Sequence, residues 1–207
     1  MSDKCIGIDN KYKKYVKQQS KILLEMLQEY HNKKTKISVG NRTNIIKDRK
    51  RPKSLVLGVR SPFFLAARKD KTLNPHLTKH TQTAKGFEIY KLIYKLIGLC
   101  YPDFEFNQII INFNTEFIPH KDSKNKNNSS FMMTVGGFTG GRLKLFEDDT
   151  QESFELIDIN EKPILFDGKN TFHSTEFYIG ERYCIVAYQT KTPYHFDPFE
   201  KEVIDLR

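Results

Sequence analysis

In the stretch "IPHKDSKN" at 118–125, one lysine separates His120 from Asp122, soon after an apolar run. Side chains alternate along an extended chain, so residues two apart project from the same side. An imidazole and a carboxylate placed this way can grip one metal ion. The spacing alone is a weak signal, and a polar surface loop is the simpler account of it. The question is whether a third ligand exists.

A candidate stands in "ILFDGKNTFHSTEFYIGERYCIVAYQ". His173 follows a strand and a turn, 51 residues after Asp122. Arg182 lies nine residues further on, opening an apolar strand. Two histidines and one carboxylate on one face of a metal leave three positions open, as in non-haem Fe(II) oxygenases. An arginine held on the following strand offers a planar clamp for a carboxylate. His173 alone reads as a core histidine, and Arg182 alone as a surface charge. The four together, in this order and on these elements, make coincidence the weaker explanation.

Those residues need a scaffold. Segment 12–30 has Tyr12, Tyr15, Val16, Ile22, Leu23, Met26, Leu27 and Tyr30 in a 3.6-residue rhythm, which predicts an amphipathic helix with a lysine-rich outer face. Segment 86–100 carries Phe87, Tyr90, Ile93, Tyr94, Ile97 and Cys100 on one stripe, predicting a helix packed on a sheet. Pro62 and Pro75 break the long connection between "SLVLGVR" (54–60), a predicted strand, and this helix. From 104 the texture changes to short strands at 106–114, 130–136, 141–147, 153–159, 162–168 and 182–190. Such regular short strands predict a sandwich or barrel. "VGGFTGGRLKLF" (135–146) reads as a hairpin turn between two core strands.

Charge divides the chain. Residues 1–60 hold 16 Lys/Arg against 5 Asp/Glu, whereas 104–207 hold 11 against 17. A basic arm, residues 1–53, therefore precedes the body, 54–207. The basic block suits a nucleic-acid or other polyanionic partner, although a solvated face in a Lys/Asn-rich chain would look similar. "KDRKRPK" (47–53) fits a localisation signal, a phosphate contact or a solvated loop. No apolar run approaches the roughly 20 residues of a membrane span. The start has no signal-peptide core, so an intracellular protein, cytoplasmic or nuclear, is expected. The Lys/Asn richness fits an AT-rich genome such as a large virus. Cys5, Cys100 and Cys184 match neither a disulfide framework nor zinc spacing and read as reduced thiols. His31, His76, His80 and His195 lack partner spacing and read as surface or structural residues. Asp167, before Gly168, reads as a turn former. Arg142 faces either substrate or solvent.

The H-x-D…H…R order over roughly 104–190 resembles the Fe(II)/2-oxoglutarate-dependent dioxygenases. The resemblance implies an α+β, mainly β chain with a double-stranded β-helix (jelly-roll) core and supporting helices. It implies Fe(II) held by His120, Asp122 and His173, and 2-oxoglutarate paired through its distal carboxylate with Arg182. O2 is the oxidant, and ascorbate can stimulate such enzymes. Many members have R-x-S at the clamp, where this chain has Arg182-Tyr183-Cys184. Asn112 lies where relatives often place a polar contact to 2-oxoglutarate. The glycine-rich segment and "GERYCIVAY" look like the branch that oxidises thymine and 5-methylcytosine, the TET/J-binding-protein group. Prolyl hydroxylases usually carry lysine as the clamp and a "GGET"-like segment, where this chain has Arg182 and "GGRL". The residues therefore point first to a dioxygenase acting on a nucleobase of DNA or RNA. A prolyl-type protein hydroxylase and a catalytically silent nucleic-acid-binding module are the alternatives.

Overall fold

The two predicted helices form where their rhythm places them: α1 over Lys13–Asn32 and α2 over Ala84–Cys100. They belong to a computed structural model that describes residues 5–32, 43–50, 52–60, 76–200 and 202–205. The predicted breaks at Pro62 and Pro75, and Arg51 of the basic cluster, lie outside the described residues. Helix α1 buries Val16, Ser20, Leu23, Leu27 and Tyr30 and leaves Lys13, Lys14, Lys17 and Lys21 exposed. Ile22, counted on the apolar stripe, is instead 41% exposed. Helix α2 starts where the Thr83 hydroxyl accepts the Gly86 N–H at 3.1 Å, an N-cap. Its buried stripe includes Ile89 and Leu96, while Phe87 and Tyr94 lie at the margin of the core.

Among the described residues, eleven strands follow the chain: β1 Cys5–Gly7, β2 Lys53–Gly58, β3 Gln108–Phe113, β4 Ser129–Gly140, β5 Leu143–Phe146, β6 Phe154–Ile157, β7 Ile164–Asp167, β8 His173–Thr175, β9 Tyr178–Tyr188, β10 Tyr194–Asp197 and β11 Glu202–Asp205. Six of them make one antiparallel sheet in the order β1-β7-β4-β9-β3-β2. A smaller sheet has the order β6-β5-β8. Single bridges widen it: His120 pairs with His173, and Ile46 pairs with Phe117. Part of the basic arm thus lies at the edge of the sheet that carries both histidines. Strands β10 and β11 pair with each other.

Period-two alternation sorts side chains to two cores. Tyr183, Ile185 and Ala187 of β9 join Ile109, Ile111, Phe131 and Met133 beneath the helices. Each fully buried leucine there, such as Leu23 or Leu27, stabilises by about 2 kcal/mol. The opposite face of the large sheet meets the small one. There Met132, Ile164, Phe166 and Cys184 pack on Leu143, Leu145 and Ile157. This is the jelly-roll architecture expected from the sequence, with helices on one side and the site between the sheets. Gln28 of α1 donates to the Glu181 carboxylate at 2.8 Å, tying the helix to β9 beside Arg182.

The glycine-rich segment does not make a hairpin between paired strands. Strand β4 runs on to Gly140, and Gly140–Gly141 form the corner where the chain passes from the large sheet to the small one. Gly136, opposite Arg182 in the register, has φ +140°, and a Cβ there would sit 2.1 Å from the Glu181 carbonyl oxygen. The Gly136→Ala variant is expected to lose about 1–3 kcal/mol of stability. A urea midpoint equal to that of the parent protein would contradict this.

Candidate active site

The two histidines face each other as a bridge pair. Each backbone N–H donates to the other's carbonyl at 3.0 Å, and the ring centroids are 4.4 Å apart. Asp122 is anchored from its own backbone, whose N–H donates to the Gly168 carbonyl at 2.8 Å. Its Oδ2 lies 3.7 Å from His173 Nε2. One ligand atom from each of His120, Asp122 and His173 lies within 4.8 Å of the other two. The residues singled out from sequence spacing are therefore together in space.

Both imidazoles are oriented the same way. His120 Nδ1 is 2.8 Å from the Ile118 carbonyl oxygen, and His173 Nδ1 is 3.0 Å from that of Thr171. A carbonyl only accepts, so each Nδ1 donates, which leaves Nε2 as the nitrogen available to a metal. This is the tautomer that a metal-binding histidine needs, fixed by its outer partner. His173 is buried, while His120 and Asp122 are half-buried at the mouth. Phe117 and Phe166 pack beside the rings at 5.5 and 5.1 Å from His120 and His173.

A narrow cavity of about 40 Å³ runs between the sheets, with His120, Asp122, His173, Asn112 and Arg182 in its wall. Met132, Leu143 and Val186 supply apolar lining. Arg182 is only 2% exposed, and its Nε has no hydrogen-bond partner. Among the described residues, no carboxylate forms an ion pair with it. Phe138 and Tyr178 flank the guanidinium, with Cζ 5.7 and 5.4 Å from their ring centroids, a cation–π cradle. Gly141 makes room for it, since a Cβ there would come within 3.0 Å of Arg182 Nε. Asn114 accepts the Arg182 backbone N–H at 2.7 Å.

Asn112 lies across from Cys184 in the register. Its Oδ1 accepts the Ser54 hydroxyl at 2.7 Å, and the residue lines the cavity. The thiol of Cys184 is pushed up by burial, an effect that the Arg182 charge partly opposes. It is therefore a neutral wall group at pH 7. Burial likewise raises the Tyr178 hydroxyl, against the pull of Arg182.

The other histidines each contact an aromatic side chain. Tyr30 Oη contacts His80 Nδ1 at 2.6 Å, Tyr94 Oη contacts His195 Nε2 at 3.2 Å, His76 stacks on Tyr194 at 3.9 Å and His31 packs on Phe113 at 5.0 Å. Asp167 shapes its turn by accepting the Asn170 N–H at 2.9 Å. Arg142 is held by Glu176 at 2.6 Å on the surface. All three cysteines are free and buried. Sequence reasoning missed Ser54, Asn114, Phe138 and Tyr178. Only Tyr178 carried a signal, standing four residues before Arg182 on the same face of an alternating strand.

No protein-family model matches the sequence, and no curated protein matches it. The structure is similar to a Pseudomonas putida prolyl-4-hydroxylase, at 10% identity over 84% of this chain and 86% of that one, with a TM-score of 0.50. It is similar to a Trichoplax adhaerens prolyl hydroxylase solved with a hypoxia inducible factor oxygen degradation domain peptide fragment. There the identity is 13%, the coverage 91% and 84%, and the TM-score 0.51. It also resembles OsALKBH1, at 12% identity, 91% and 98% coverage and a TM-score of 0.50. At such identities the likeness shows the fold. It is a jelly-roll core, a double-stranded β-helix, with helices packed on one side. Among the described residues, no helix is long and apolar enough to cross a membrane.

Proposed function

We propose that this chain is an Fe(II)/2-oxoglutarate-dependent dioxygenase that hydroxylates a C–H bond of a nucleobase in DNA or RNA. One observation carries the reaction class. A buried arginine without an ion-pair partner among the described residues shares a cavity with a His/Asp/His cluster whose ligand atoms lie within 4.8 Å of one another. Arginine stays charged, and a buried unpaired charge is costly, so the cavity suits an anionic ligand. A diacid that chelates at one end and pairs with a guanidinium at the other satisfies both halves.

His120, Asp122 and His173 would hold Fe(II); two neutral imidazoles and one carboxylate suit that ion and leave room for a chelating cosubstrate. When bound, iron with 2-oxoglutarate and O2 supplies the oxidation, which yields succinate and CO2 and places one oxygen atom in the substrate C–H bond. The chain's own residues bind, orient and exclude water. Arg182 would pair with the far carboxylate, and Asn112 Nδ2 would donate to the same molecule. Phe138 and Tyr178 keep the guanidinium in place. Met132, Leu143 and Val186 keep the cavity dry.

Two features support the nucleobase. The motif pattern resembles the TET/J-binding-protein branch, with Arg182 and "GGRL" where prolyl hydroxylases usually have lysine and a "GGET"-like segment. The first 60 residues are strongly basic, and their part around Ile46 bridges to Phe117 on the sheet of the two histidines, which suits contact with a phosphate backbone. A base inside a duplex would be flipped out to reach the cluster. The test is to treat DNA and RNA with metal-loaded protein and 2-oxoglutarate, digest to nucleosides and measure masses. A nucleoside heavier by one oxygen atom is expected. Hydroxylated peptide with unchanged nucleosides would overturn the substrate assignment and leave the reaction class standing.

A further inference from the structure

Residues 104–207 are acidic overall, with 11 Lys/Arg against 17 Asp/Glu. Four of those eleven bases nevertheless lie on the two segments that carry Asp122 and lead to His173, beside the cavity-lining Asp122 and Asn125. Lys121, Lys124 and Lys126 are on the loop that carries Asp122, and Lys169 is on the turn before His173. The loop and the turn are stitched together. Asp122 N–H donates to the Gly168 carbonyl at 2.8 Å, and Lys169 Nζ donates to the Lys126 carbonyl at 3.0 Å. Lys126 N–H donates in turn to the Gln189 carbonyl at 2.8 Å.

The carboxylates within these segments do not neutralise the lysines. Asp122 faces His173, and Asp167 is occupied by Asn170. Lys121 pairs with Asp149 at 2.6 Å. Among the described residues, no carboxylate forms an ion pair with Lys124, Lys126 or Lys169. Asp149 belongs to an acidic loop with Glu147, Asp148 and Glu152, which the Lys121 contact fixes beside the mouth. The acidic loop therefore meets the lysine-bearing loop at Lys121, and Lys124, Lys126 and Lys169 lie beyond that contact in sequence.

We infer that Lys124, Lys126 and Lys169 form the surface that holds the nucleic-acid backbone while a base enters the site; this rests on the nucleobase reading above. Phosphate contacts set position and orientation, while the pocket selects the base. A backbone already pinned by hydrogen bonds needs little ordering when it binds. The lysines of α1 serve this purpose poorly, because α1 packs on the face of the large sheet opposite the cavity.

The test is fluorescence anisotropy across a salt series with a labelled 20-nucleotide single strand, its duplex and the RNA equivalent. K124Q/K126Q/K169Q is compared with K13Q/K14Q/K17Q, each checked for an unchanged thermal midpoint. The rim triple is expected to weaken single-strand binding at least about tenfold at low salt. It should flatten the slope of log affinity against log salt by about 2, since each phosphate that a lysine neutralises on a single strand adds about 0.7 to that slope. The α1 triple should change the slope less. Unchanged affinity and slope in the rim triple, or a loss confined to the α1 triple, overturns the inference. If nucleosides are still oxidised in that event, the nucleobase reading survives and only the rim falls. If no oligonucleotide binds and no nucleoside gains oxygen, both fall.

Discussion

His173→Ala should abolish succinate formation and remove the thermal stabilisation that a divalent metal gives the parent protein. His173 is 3% exposed, its Nδ1 is committed to the Thr171 carbonyl and its Nε2 points at Asp122. Removing it leaves two ligands at a half-exposed mouth. Losing even an outer partner of a metal ligand typically costs about 10- to 100-fold in affinity, so losing a ligand should cost more than about 100-fold. A ligand present at a hundred times its Kd stabilises the fold by about 2.7 kcal/mol. In a chain of this size that is a rise of about 5–10 °C in Tm. The parent should show this rise with Fe(II) under argon, or with Mn(II), and His173→Ala should not. The backbone bridge to His120 does not need the side chain, so the variant should fold. His173→Gln, which keeps some bulk against Phe166, serves as the check on packing. His195→Ala should retain the full metal-dependent rise, because that ring meets Tyr94, away from the cluster. A metal-dependent rise in His173→Ala equal to the parent's would remove position 173 from the site.

The residues of this site were legible because their chemistry is rare in combination and their order along the chain is informative. The helices and the long strands β3 and β9 were legible because apolar periodicity is a local signal. What escaped has a common cause in long-range pairing. Strands β1 and β8 have three residues each, too few for an alternation to register. They exist because β7 and β5 offer them partners. The segment at Gly140–Gly141 looked like a hairpin because two apolar runs flank a glycine pair. The partners of those runs lie elsewhere, so the glycines turn a corner between sheets instead. The surroundings of Arg182 were hidden for the same reason. Phe138 reaches the guanidinium only because β4 pairs with β9 in one register, with Gly136 opposite Arg182. Ser54 meets Asn112 only because β2 joins β3. The basic arm read as a separate block of charge, yet Ile46 bridges to Phe117 on the sheet of the site histidines. Composition reports charge but not which edge it adorns.

Arg182→Met should separate the two halves of the site by changing ligand binding and stability in opposite directions. Without cosubstrate the guanidinium is a buried cation with an unsatisfied Nε, compensated by the ring pair Phe138 and Tyr178. Replacing a buried charge that lacks its partner with an apolar side chain of similar length relieves that cost. The ligand-free variant should therefore melt at or above the parent's Tm. With 2-oxoglutarate the sign reverses. Truncating one partner of a buried, hydrogen-bonded charge pair costs about 2–5 kcal/mol, roughly 30-fold to several thousand-fold in affinity. The parent should gain stability from metal plus 2-oxoglutarate beyond that from metal alone, and Arg182→Met should show the metal increment only. Arg182→Lys should recover part of the affinity, since a lysine keeps the charge but not the planar pair of donors. A purely structural arginine would give another pattern: a lower Tm in every state and an unchanged 2-oxoglutarate increment in the protein that remains folded. Equal loss of metal and cosubstrate responses in folded variant would likewise break the assignment, because Arg182 would then be shaping the whole cavity rather than gripping one end of a diacid.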